Sequence, residues 1–123
     1  MTGHEIRRGE VWIVDLGPTI GSETGKPRPC LIIQNDAGNI KSPLTIIAPI
    51  TGAKHLERRY PFQVFVPSGE GGLNKDSMVL LQQIRTIDKS RIASYIGKLS
   101  SSSMAQVDQA IKISLDLKWL FTL

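Results

Sequence analysis

The chain has 123 residues, 41% of them apolar, which suits one domain around one core rather than two domains. Its net charge of +4 permits a polyanionic partner, but the basic residues are too few and too scattered to identify one. The single cysteine, Cys30, excludes an intramolecular disulfide and a cysteine-based metal site, and no apolar run reaches membrane-spanning length, so a reducing, cytoplasmic setting is expected.

In chain order, Met1 to Glu10 is polar and charged, without the apolar stretch of a signal peptide. Val11 to Leu16 is rich in β-branched and aromatic residues and reads as a strand, broken by Gly17-Pro18. A polar loop, Gly21 to Lys26, leads to Pro27-Arg28-Pro29, and Cys30 to Gln34 reads as a buried strand. Asn35 to Asn39 is a turn cluster with room for one helical turn. Leu44 to Ile50 is an apolar strand in which Pro49 belongs at an edge or an end, because it has no N–H for a ladder. Thr51-Gly52 closes that strand, and Ala53 to Tyr60 is a charged loop.

Phe62 to Val66 and Ser77 to Ile84 read as further strands, separated by a glycine-rich turn. Thr86 to Asp88 reads as a stop with a turn, and Ile92 to Leu99 as the last strand. Many short strands with regular punctuation predict a small barrel or sandwich. The period then changes. Met104, Val107, Ala110, Ile111, Ser114 and Leu115 fall at helical spacing, with Ser103 and Gln106 as a capping box, so one amphipathic helix is expected to end the domain and cover one opening or face of the barrel. The tail Lys118 to Leu123 is apolar and expected to dock, on its own domain or across a dimer interface.

The most informative stretch is the polar loop with its arginine between two prolines. Pro27 fixes its own φ at about −65°. Pro29 pushes Arg28 toward extended geometry. A stiff backbone beneath a permanently charged, five-donor fork suits recognition of a phosphate or carboxylate. Elsewhere there is little chemistry. No phosphate-binding glycine loop or dinucleotide fingerprint occurs. His4 and His55 lack a sequence-local partner, and no carboxylate cluster has metal-ligand spacing. Cys30, beside Leu31, Ile32 and Ile33, reads as a small buried residue rather than a nucleophile. Metal-independent chemistry, or none, remains. Thr51 sits at a strand exit as Arg28 does, but periodicity alone makes it a turn residue bonding its own backbone.

Ordered motifs run along almost the whole chain: Arg8-Gly9-Glu10-Val11-Trp12, Gly21-Ser22-Glu23 with Arg28-Pro29, Gln34-Asn35-Asp36, Ala48-Pro49-Ile50-Thr51, Asp76-Ser77 and Gln83-Ile84-Arg85-Thr86-Ile87-Asp88. In these the chain resembles the MazF/PemK-type toxins of type II toxin–antitoxin modules, most closely the Gram-positive MazF branch. The resemblance covers about residues 7–117 of a single domain, 1–123, and leaves the tail 118–123 outside.

The resemblance implies a mostly β fold with a C-terminal helix, an SH3-like small β-barrel of the MazF/PemK/CcdB kind, acting as a homodimer. It implies a cofactor-free, metal-independent, sequence-specific endoribonuclease that cleaves single-stranded RNA to 2′,3′-cyclic phosphate and 5′-hydroxyl ends. It implies a cognate antitoxin whose extended segment occupies the RNA groove, and no membrane partner. Within this branch it places catalysis on Arg28 and Thr51. RNA binding is expected from Gly21, Ser22, Glu23 and Lys26 in the loop, and from Gln82 and Gln83, whose amides both donate and accept. The chain departs from PemK-like members in lacking a histidine in the first loop and an aspartate at Leu81-Gln82-Gln83. The acid–base scheme of that branch is therefore not assigned, and the cut site is not copied from relatives. The alternatives are a non-catalytic toxin of the same fold that binds gyrase, and an inactive RNA-binding member.

Overall fold

The computed structural model describes residues 5–18, 20–23, 26–53 and 60–117. Seven strands form: β1 (Glu10–Asp15), β2 (Pro27–Ile32), β3 (Leu44–Gly52), β4 (Gln63–Val66), β5 (Ser77–Leu80), β6 (Arg85–Asp88) and β7 (Ile92–Lys98). A short helix, α1 (Asp36–Lys41), precedes β3, and α2 (Ser101–Ser114) closes the described chain. Every pairing is antiparallel, in the order β4-β5-β3-β2-β1-β7, with β6 alongside the first half of β3.

The mostly β class with a C-terminal helix agrees with the sequence reading; closure into a barrel does not. Among the described residues the sheet is open, with β4, β6 and β7 each paired on one side only. The 3-10 turn Glu70–Gly72 packs against β7 where a closing strand would lie. A Cβ on Gly97 would sit 2.5 Å from the Gly71 carbonyl, and one on Gly72 would sit 2.2 Å from the Ile96 oxygen. Backbone meets backbone here at a distance only glycine allows.

Strand alternation sorts the side chains onto two buried faces. Val11, Leu31, Ala48, Ile50, Val64, Val66 and Val79 form one core, completed by Val107 and Ala110 of α2. Trp12, Val14, Cys30, Ile32, Ile47, Ile87 and Ile92 form the other, closed by Ile6 and Leu16. The helix therefore covers the first face, as its periodicity predicts. Its cap lies earlier than expected: the Ser100 side chain accepts from the Ser103 N–H at 3.1 Å, and Ser100 also donates to Glu70.

Three strand assignments change. Thr86 to Asp88 is not a stop but part of β6, because Ile87 is buried in the second core while its neighbours face out. The strand beginning at Ser77 ends at Leu80, not Ile84. The Leu81 N–H turns to the Phe62 carbonyl at 3.1 Å and Leu81–Gln83 forms a 3-10 turn. Pro49 lies inside β3, not at an edge. Ile46 directs its carbonyl toward the β2 side, accepting from Ile33, so Ala48 and Ile50 face that side too. The Pro49 nitrogen thus faces the gap where β3 exchanges β6 for β5, between Ile47↔Arg85 and Ile50↔Val79, and no ladder bond is lost.

The turn cluster at Asn35 becomes the cap of α1, the Asn35 side chain accepting from the Gly38 N–H at 2.8 Å. His4, His55 and the tail 118–123 lie outside the described residues.

Candidate active site

Arg28 is the second residue of β2 and pairs with Val14 of β1, so its backbone is held from the β1 side. The Ile32 carbonyl accepts from Gly9 on that same side, which turns Arg28, Cys30 and Ile32 toward β1 and Pro27, Pro29 and Leu31 toward β3. Proline has no N–H to give, so the β2–β3 ladder runs out at its last paired residues, Cys30 and Pro49. Two residues further, Arg28 faces Thr51 across an unladdered gap. Both side chains rise from the face that buries the second core, since Arg28 alternates with Cys30 and Thr51 with Pro49 and Ile47.

That gap is the mouth of a cavity of about 340 Å³ lined by Arg28, Pro29, Ile50, Thr51, Gly52, Leu73, Asn74, Lys75 and Ser77. The cavity thus holds a guanidinium, an ammonium, two hydroxyls and an amide, and no carboxylate. Such a set suits an anion that also needs a neutral hydrogen-bonding partner. Lys75 closes on Gly52, its Cε 3.2 Å from where a Cβ would stand there. Arg28 and Thr51 are half-buried.

A second cavity, of about 450 Å³, lies beside Pro49 and is lined by Pro18, Glu23, Pro49, Gln82, Gln83, Ile84 and Arg85. Here the 3-10 turn presents both glutamines. Glu23 enters from the first loop, where its carboxylate accepts from the Ile20 N–H at 2.7 Å. Between the cavities Cys30 is fully buried. Burial pushes its thiol up to about 12, against a smaller opposing pull from Arg28 and Arg85. It is a packing residue, as the apolar run around it predicts.

Six of the eight residues expected at the site divide as follows: Arg28 and Thr51 share one cavity, and Glu23, Gln82 and Gln83 share the other, while Lys26 lines neither. Gly21 and Ser22 are exposed on the loop and also line neither. Lys26 is exposed, with a left-handed backbone at φ 65° ahead of Pro27. Lys75, Asn74 and Arg85 were not singled out from the sequence. The signal for Arg85 was present: it alternates with Ile87, which puts a charge on a core-facing file of β6.

An open antiparallel sheet, one face covered by a helix, with two polar clefts lined by Arg28, Lys75 and Arg85, defines a small, mostly β domain whose clefts suit an anionic ligand. The chain belongs to the PemK-like, MazF-like toxins of type II toxin–antitoxin systems, whose family model matches residues 7–115. It is 46% identical over 112 residues to Endoribonuclease EndoA of Bacillus subtilis strain 168, covering 91% of this chain and 96% of that one. In fold it is similar to MazF from Deinococcus radiodurans, with TM-score 0.77, 25% identity, and 93% and 99% of the two chains covered. It is also similar to an endoribonuclease in complex with its cognate antitoxin from a mycobacterial species, with TM-score 0.76, 24% identity, and 93% and 98% covered. No helix among the described residues is long and apolar enough to cross a membrane.

Proposed function

We propose that this toxin is an endoribonuclease that cleaves single-stranded RNA by assisting attack of a ribose 2′-hydroxyl on the adjacent phosphate, with Arg28 and Thr51 acting at one phosphodiester. The observation that carries this reading is the shared cavity: the two side chains face each other where the β2–β3 ladder stops. The 46% identity to an endoribonuclease supports the activity.

In the reaction the 2′-oxygen bonds to phosphorus, the P–O5′ bond breaks, and the proton leaving the 2′-hydroxyl is balanced by one delivered to the 5′-oxygen. The products are a 2′,3′-cyclic phosphate and a 5′-hydroxyl. Arg28 suits the neutralisation of charge that builds on the non-bridging oxygens. A fixed donor in that role is typically worth about 3 kcal/mol, or roughly 10²–10³ in rate. It suits proton donation poorly, because a guanidinium holds its protons tightly. Thr51 is equally mismatched as a base and instead orients the 2′-hydroxyl or the phosphate by hydrogen bonding. Proton transfer passes through water, because the cavity of Arg28 and Thr51 holds no carboxylate and Glu23 lines the other one, and alignment for in-line attack supplies much of the remaining acceleration. Gln82 and Gln83 read base edges in the adjoining cavity, and Gly21, Ser22 and Lys26 bind the strand from the loop.

The protein works in the cytoplasm as a homodimer, and the extended segment of its antitoxin fills the same cleft. The test is purified protein with a fluorescent single-stranded RNA in the presence of a chelator, followed by end-group analysis. Discrete cuts ending in 2′,3′-cyclic phosphate support the reading; intact RNA, or 3′-hydroxyl ends, overturn it.

A further inference from the structure

Arg85 is the charged residue of the second cavity that the mechanism leaves without a task. It opens β6, pairs with Ile47, and therefore shares the sheet face of Ile47, Pro49 and Thr51. It is half-buried, and its Nη1 donates to the Leu16 carbonyl at 3.2 Å, which anchors the guanidinium at the root of the first loop. Among the described residues it makes no ion pair, so a fixed cation faces the cleft with most of its five donors uncommitted. Arg28 stands two strands away on the same face and four residues further along it, about 16 Å between backbones at the usual strand spacing and rise. The charge of each guanidinium reaches the Cys30 thiol buried between them.

Two guanidinium groups on one face, on either side of Pro49, match a chain carrying regularly spaced negative charges. The geometry points to Arg85 as a second phosphate-binding residue, holding the RNA backbone two or three linkages from the phosphate at Arg28 and setting the register in which bases meet Gln82 and Gln83. This assignment rests on the RNA-cleaving reading of the same cleft. It gives Arg85 a share of substrate binding rather than of bond cleavage. An acidic peptide is the competing occupant, but the pair of amides beside Arg85 favours a ligand with base edges to read.

The test uses an RNA with a 2′-deoxy sugar at the cut site, so that binding is measured without cleavage. Each neutralised phosphate steepens the salt dependence of single-strand binding by about 0.7 in the log–log slope. Arg85→Gln is expected to lower the slope by about that amount and to raise KM roughly tenfold. Its single-turnover rate at saturating RNA should stay within about threefold of the unmodified protein. Arg85→Lys should restore the slope. A methylphosphonate moved along the RNA should weaken binding to the unmodified protein at one linkage near the cut site, and should weaken Arg85→Gln no further there. That scan on the unmodified protein decides the matter should Arg85→Gln fail to fold: no sensitive linkage other than the scissile one overturns the assignment. An unchanged slope in folded Arg85→Gln overturns it too, as does a defect confined to acidic-peptide binding. An unmodified protein that cuts RNA while Arg85→Gln keeps its slope removes Arg85 alone, whereas a protein that neither cuts nor binds RNA removes the RNA reading with it.

Discussion

Arg28 and Thr51 occupy opposed positions on β2 and β3, two residues past the last paired residues, Cys30 and Pro49. The prolines that flank Arg28 cause this separation, because they remove the donors that would have stitched β2 to β3 there. The same two residues that stiffen the arginine also open the cavity into which it points. Pairing with Val14 of β1 keeps the strand in place despite the missing bonds.

The role proposed for Thr51 rests on its hydroxyl, so Thr51→Ser should retain most of the activity and Thr51→Val should lose about tenfold to a hundredfold in single-turnover rate. Val keeps the β-branched shape in the strand, so the melting temperature should change little. Equal activity of the valine and serine variants would remove the hydroxyl from the mechanism.

Cys30 is held as a neutral thiol by burial, with its pKa near 12. The folded protein should therefore resist a thiol-specific reagent at pH 8 and react fully once denatured. Rapid labelling of the folded protein would contradict the burial of this face.

Gly97 lets β7 lie against the Glu70–Gly72 turn, where a Cβ would meet the Gly71 carbonyl at 2.5 Å. Gly97→Ala should cost about 1–3 kcal/mol by forcing the edge apart. Chemical denaturation measures this, and an unchanged midpoint would show that the turn yields freely.

Glu70 accepts hydrogen bonds at the start of α2, first from the Ser103 hydroxyl and then from Ser100, and these hold its carboxyl below its ordinary 4.5. Folding therefore favours the ionised form. The contribution is complete above pH 4.5 and disappears as pH falls through the lower folded value. Melting scans from about pH 6 down to about pH 3 should show a steeper acid loss for the unmodified protein than for Glu70→Gln. Parallel curves would deny the linkage.

The sequence made several parts of this legible for physical reasons. Proline constraint around Arg28, the apolar run after it and the change to helical period near Met104 are local properties, and each appears where local chemistry places it. What local chemistry does not contain is register. Nothing in Pro49-Ile50-Thr51 by itself says that Thr51 faces Arg28; that follows from antiparallel pairing between distant segments. Gln82 and Gln83 were recognised as candidates but read as strand residues, because the apolar run from Ser77 hides the turn that delivers them to the cavity. A reading of Thr86 to Asp88 as a stop leaves Arg85 without a sheet face. Once that segment is a strand, the alternation of Arg85 with Ile87 places a cation on the working face.

The central claim is that Arg28 and Thr51 serve one phosphodiester. Single-turnover cleavage of a fluorescent RNA by Arg28→Ala, Thr51→Ala and the double variant tests it most directly, with melting curves confirming that all three fold. Residues acting on one transition state lose their effects non-additively. The expected result is a loss of roughly 10²–10³ or more for Arg28→Ala, with a double variant little slower than Arg28→Ala alone. Undiminished cutting by Arg28→Ala, or losses that simply multiply in the double variant, would contradict the account.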